Sequence, residues 1–154
     1  MICQVIRIVK GGIMATAVMT LVMLMAPLMG LPKMPVGSML ANFMHIPVSM
    51  GWMMHFIIGT TLAAAYVFLF QTRVSVHPAV NGMLFSLIPF LLAQIMVNPI
   101  MGAGFFALKT PAPFLMVMGS LVGHLVYGAV LGFTTRESRG SVGKACFLDR
   151  ESVA

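Results

Sequence analysis

Residues 51–63 read Gly51-Trp52-Met53-Met54-His55-Phe56-Ile57-Ile58-Gly59-Thr60-Thr61-Leu62-Ala63, and residues 120–132 read Ser120-Leu121-Val122-Gly123-His124-Leu125-Val126-Tyr127-Gly128-Ala129-Val130-Leu131-Gly132. Neither stretch carries a charge. Each has a small residue, a histidine and two more small residues at intervals of four: Gly51, His55, Gly59 and Ala63, then Ser120, His124, Gly128 and Gly132. Every matched pair is 69 residues apart. An interval of four places side chains on one side of an α-helix. Small residues there let a neighbouring backbone come close, which is how helices associate in lipid without a hydrophobic drive. The two stretches are therefore read as membrane-spanning helices that turn these faces inward, with His55 and His124 at similar depths.

A spanning helix needs about 20 largely apolar residues. Four stretches qualify: 11–31, 51–70, 79–101 and 114–134. Pro32, Pro35, Pro47, Pro78, Pro111 and Pro113 punctuate the segments between them, as loops require. The first run is longer than a signal-peptide core and no cleavage-like site follows it, so it is read as a retained helix. Residues 1–10 form a cytoplasmic N-terminus, 11–134 the four-span domain, and 135–154 a polar, mobile cytoplasmic tail. A short interfacial helix is expected between Pro35 and Pro47, with Met39, Leu40, Phe43 and Met44 as its apolar side. Trp52 is expected at the outer interface.

Composition agrees with this reading. Of 154 residues, 60% are hydrophobic and 8% charged, against roughly 25% charged in soluble domains. The three acids are Glu137, Asp149 and Glu151, so residues 1–136 hold no carboxylate side chain. Carboxylate-pair glycosidases, two-metal hydrolases, calcium sites and an acid-assisted Ser–His triad are thereby excluded from the bundle. The nine basic residues divide unevenly. Arg7, Lys10, Arg73, Arg136, Arg139, Lys144 and Arg150 share the side of the termini, whereas Lys33 and Lys109 lie in the opposite loops. Seven against two places both termini in the cytoplasm. No basic surface interleaved with stacking aromatics is visible, so nucleic acid is not an expected partner. Cys3 and Cys146, both on the cytoplasmic side, are read as free thiols.

The first and third spans repeat less cleanly. Gly12-x3-Thr16 matches Gly82-x3-Ser86 at an offset of 70, and Pro27-Leu28-Met29-Gly30 matches Pro99-Ile100-Met101-Gly102 at 72. The region of Pro89 accounts for the shift. The fold expected is an all-α integral membrane four-helix bundle made of two parallel helical-hairpin repeats, with a pseudo-two-fold axis along the membrane normal. Its helix-packing residues are Gly12, Gly51, Gly59, Ala63, Gly128 and Gly132. Its interior polar residues are His55, His124, Gln94, Asn98, Ser86, Ser120, Thr16 and Thr20, which are costly facing lipid. Pro89 frees the carbonyl of Phe85.

The strings Gly11-Gly12-Ile13-Met14-Ala15-Thr16-Ala17-Val18-Met19-Thr20, Gly30-Leu31-Pro32-Lys33-Met34, Gly51 to Gly59 and Gly119 to Gly128 resemble a family of small prokaryotic four-span membrane proteins of unknown function. The resemblance covers most of residues 10–134 and centres on the two His-x3-Gly segments. It implies a multi-pass protein of a prokaryotic cell (inner) membrane. It implies no activity or cofactor.

Several chemistries remain for such an interior. The imidazoles serve as packing glue, or they bind or pass a small solute or ion through a neutral polar interior. As a metal pair, His55 and His124 would hold haem b or copper. The 17 methionines bear on copper, with Met19-x3-Met23 on one face and Met50, Met53, Met54 and His45 near the outer end of the second span. Otherwise methionine is apolar filler. Ser120 lies four residues before His124, so the two can hydrogen-bond, but no acid orients such a dyad and no enzyme is expected. The expected partners are the lipid bilayer and either a homo-oligomer or a larger membrane complex.

Overall fold

The computed structural model describes residues 2–73 and 76–136. Among these, regular structure is entirely helical. Helix α1 spans Ile2–Met25 and ends in a 3-10 turn at Ala26–Met29; α2 spans Val36–Met44; α3 spans Val48–Ala65 and continues through a π turn at Tyr66–Phe70. Helix α4 spans Pro78–Leu92 and runs through a π turn at Ala93–Val97 into the short α5, Asn98–Ile100; α6 spans Pro113–Thr134. Four helices, over Ile2–Met29, Val48–Phe70, Pro78–Ile100 and Pro113–Thr134, are long and apolar enough to cross a membrane.

Burial is inverted relative to a soluble protein. Thr16, Ser86 and Gln94 are at most 1% exposed, whereas Leu21, Leu24, Leu28, Phe68 and Phe114 are each at least 60% exposed. A fold that hides amides and hydroxyls and displays leucine and phenylalanine is arranged for lipid, where unpaired polar groups cost several kcal/mol. This marks a membrane protein.

The helices form an incomplete ring. Helix α1 packs against both α3 and α6, and α4 packs against α6. Each contact is made through small residues. A side chain at Gly12 would strike Thr60 and Ala63 of α3, and one at Gly82 would strike the backbone of Gly128 and Gly132 of α6. Helices α3 and α4 meet mainly at the end of the bundle where the termini lie. There Tyr66 and Phe70 stack on Phe85, with ring centroids 5.3 and 5.6 Å apart. Beyond that stack the two helices diverge, and α2 leans mainly on α3, its Gly37 lying under the Trp52 ring.

Four expectations need correction. Residues 2–10 are not a separate segment: α1 is helical from Ile2, because Arg7 and Lys10 mark the edge of the apolar run rather than the end of the helix. Helix α2 forms between Pro35 and Pro47, but it buries Gly37 and Ala41, while Phe43 and Met44 are exposed. Small residues win there because they allow contact with Gly51 and Trp52. Trp52, half-buried near the start of α3, meets His55 edge-on with ring centroids 6.0 Å apart. Cys3 is disulfide-bonded rather than free. Cys146 and most of the expected tail, from residue 137 on, lie outside the described residues. Thr135, expected to begin the mobile tail, is fully buried and donates to the Leu131 carbonyl.

Candidate functional site

Between α1, α3, α4 and α6, on the loop side of the Tyr66–Phe85 stack, lies a partly open cavity of about 350 Å³. Its size is at the lower end of small-molecule sites, roughly 300–1,000 Å³. His55, His124, Gln94, Asn98, Ser120 and Thr16 line it together with Tyr127, and among the described residues no charged one does. Among the described residues no three His, Cys, Asp or Glu side chains come together as a metal-binding group.

The polar groups are organised into short chains. Asn98 Nδ2–H donates to Gln94 Oε1 (2.9 Å), and Gln94 Nε2–H donates to Ser120 Oγ (3.1 Å). Residues 94 and 98 are one turn apart, and the π turn at Ala93–Val97 carries them past Pro89, which lines the same cavity. A π turn widens the helix locally and often accompanies a functional site.

The two histidines are each held by one ring nitrogen. His124 Nδ1 lies 2.7 Å from the Ser120 carbonyl oxygen. A carbonyl only accepts, so Nδ1 carries the proton and neutral His124 keeps its lone pair on Nε2. The expected Ser120–His124 contact thus exists, but it uses the backbone; the serine hydroxyl takes its bond from Gln94. On α3, His55 Nε2 lies 3.2 Å from Thr20 Oγ1, whose hydroxyl donates to the Thr16 carbonyl at 2.7 Å. The Thr20 proton is therefore engaged, so Nε2–H donates to Thr20 and His55 keeps its lone pair on Nδ1. Each ring thus keeps one unprotonated nitrogen, and both rings line the cavity. Phe90 meets His124 edge-on, at 5.8 Å between centroids, and fixes its plane.

The other residues singled out by the sequence divide by position. Thr20 stands behind His55 without lining the cavity. Ser86 lies outside it, at the α4–α6 crossing beside Gly128, and donates to the Met83 carbonyl. Gly12, Gly51, Gly59, Ala63, Gly128 and Gly132 are buried at helix contacts. Met19 and Met23 reach the cavity, joined by Met34, Met39, Met101 and Met116. Met50 and Met53 at the start of α3, and His45 at the end of α2, are exposed instead. Lys33, Lys109 and His77 are exposed loop residues.

Sequence reasoning passed over Tyr127, 2% exposed, whose hydroxyl donates to the Gly59 carbonyl across the bundle. The signal was available: Gly119-x3-Gly123-x3-Tyr127 is a second four-residue stripe on the same helix. Gly119 and Gly123 receive Met34, Met19 and Met23, so α6 buries two faces rather than one.

A profile described as a family of unknown function matches residues 3–142. The chain belongs to the DUF6789 family. That match spans every residue that lines the cavity, so the site belongs to the DUF6789 part of the chain. No curated protein and no solved structure matches it.

Proposed function

We propose that the chain binds a small, neutral, largely apolar molecule in the cavity between its helices, as a multi-pass protein of a prokaryotic inner membrane. One observation carries this reading: His55, His124, Gln94, Asn98 and Ser120, from three helices, converge on a single uncharged cavity. A largely apolar cavity with a few convergent polar groups is the ordinary form of a small-molecule site. The absence of lining charge favours a neutral ligand, since an unpaired ion buried there is costly. Binding is favoured over passage because the bundle is tightly filled toward the termini. Ala15, Ala63 and Leu131 are fully buried there, and Tyr66 is 1% exposed.

Two further elements belong to the proposal. The duplication is supported by equivalent contacts: Gly12 meets Ala63 as Gly82 meets Gly132, and Thr16 meets Gly59 as Ser86 meets Gly128. Gly30 and Gly102, each three residues after a proline, both adopt φ near +80°. The cytoplasmic placement of both termini rests on the seven-to-two distribution of Lys and Arg.

A second reading is copper handling. Six methionine side chains line the cavity beside two imidazoles with fixed lone pairs, a soft neutral donor set suited to Cu(I). Haem b is less well served, since no Arg or Lys lines the cavity to meet its propionates. An accessory role in a larger complex, or self-association, would use the exposed apolar exterior. No step of catalysis is proposed.

The test is native mass spectrometry of protein extracted in membrane nanodiscs, paired with elemental analysis and an absorption spectrum. A retained neutral molecule, lost in His55→Ala/His124→Ala, is the expected result. Stoichiometric copper lost in the same variant would replace it with the second reading. A wild type that carries neither, and binds no small neutral donor when challenged, would sink both.

A further inference from the structure

We infer that the seam between α3 and α4 is a lateral portal. Its ligand is a single-tailed neutral lipid whose hydroxyl-bearing head sits at the histidines while its tail lies in the seam. This rests on the cavity being a binding site. The ring of helices is closed by the α3–α1, α1–α6 and α6–α4 contacts, and α3 and α4 do not complete it above the Tyr66–Phe85 stack. Ile58 of α3 and Leu92 and Val97 beside it on the α4 side line the cavity, yet are 42, 49 and 40% exposed. A residue that faces both the cavity and the exterior stands at an opening. In a membrane the exterior at that depth is hydrocarbon, and all three residues are apolar.

The other sides of the cavity are more covered. The Tyr127–Gly59 bond and the aromatic stack lie below the cavity. Above it, Met39 and Leu40 of α2 form one wall and Ala107 another. A tail too long for about 350 Å³ therefore leaves sideways, among lipid chains. The chemistry of the head follows from the tautomers. Nε2 of His124 and Nδ1 of His55 are acceptors, so a head that sits at the histidines meets them through a donor such as a hydroxyl. A phosphate head is disfavoured because no cation lines the cavity.

The experiment measures binding of two reduced probes, hydroquinone and decylhydroquinone, to the full chain in nanodiscs under anaerobic conditions. Three proteins are compared: wild type, Ile58→Phe/Leu92→Phe/Val97→Phe, and His55→Ala/His124→Ala. The phenylalanines fall at exposed positions, and hydroquinone binding itself reports that the triple variant is folded. The expected result is that filling the seam weakens decylhydroquinone at least about tenfold more than it weakens hydroquinone. A decyl probe carrying a terminal diazirine should then label residues 58–62 and 89–97. If the decyl chain adds nothing in the wild type, if the filled seam weakens both probes equally or neither, or if the label falls only on α1 or α6, the portal is overturned and the cavity reading stands. If neither probe binds, or the histidine variant binds hydroquinone as the wild type does, the cavity reading fails and the portal with it.

Discussion

Tyr127 is where a single residue joins the two hairpins. Its ring fills the core of α6 and its hydroxyl bonds the Gly59 carbonyl of α3. Tyr127→Phe keeps the ring and removes the bond. Interhelical hydrogen bonds in membranes are worth about 0.6 kcal/mol on average and up to about 1.7. The variant should lose ~1 kcal/mol, measured by detergent-driven unfolding of the purified protein. A loss below the error of that assay would show the bond to be incidental. At this scale the residue types were readable and the partners were not. His124 was expected to reach the Ser120 hydroxyl but takes the carbonyl, because a ring at i+4 lies over the exposed oxygen of its own helix.

At the scale of elements, α6 presents two buried stripes with different tolerances. A Cβ at Gly132 would strike the Pro78 carbonyl, which is backbone and cannot yield. A Cβ at Gly123 would rest 3.5 and 3.6 Å from the Met19 and Met23 side chains, ordinary contact with flexible groups. Gly132→Ala should therefore cost ~3 kcal/mol through overpacking. Gly123→Ala should match or exceed the wild type, since replacing a helical glycine is worth up to ~1 kcal/mol. Equal effects of the two changes in thermal unfolding would contradict the packing described. Span positions were legible because hydropathy and proline spacing are local properties. The π turn at Ala93–Val97 was not legible, because it answers to how α4 must turn past Pro89 to seat Gln94 and Asn98 together.

At the scale of the molecule, charge and redox chemistry pull in different directions. Seven basic residues on the side of the termini argue for a cytoplasmic placement of that side. Cys3, on that side, is disulfide-bonded, and such bonds are rare in a reducing cytosol. The charge count should prevail. A C-terminal fluorescent fusion is expected to be bright and a C-terminal alkaline phosphatase fusion inactive in a bacterial host. The reverse pattern would place the termini outside and make the disulfide the better guide.

The class of solvent, the number of spans, the neutrality of the interior and the stripe of small residues around each histidine are all legible in the chain before it folds. They are properties of single helices, set by composition and a period near four. Which stripes meet is a matter of packing, and so are the ring order α3–α1–α6–α4, the gap between α3 and α4, and the gathering of His55, His124, Gln94 and six methionines at one cavity. A small-residue stripe states that a backbone can approach, but not which one. That choice is made by shape, where Gly82 fits Gly128 and Gly132, and Gly12 fits Thr60 and Ala63.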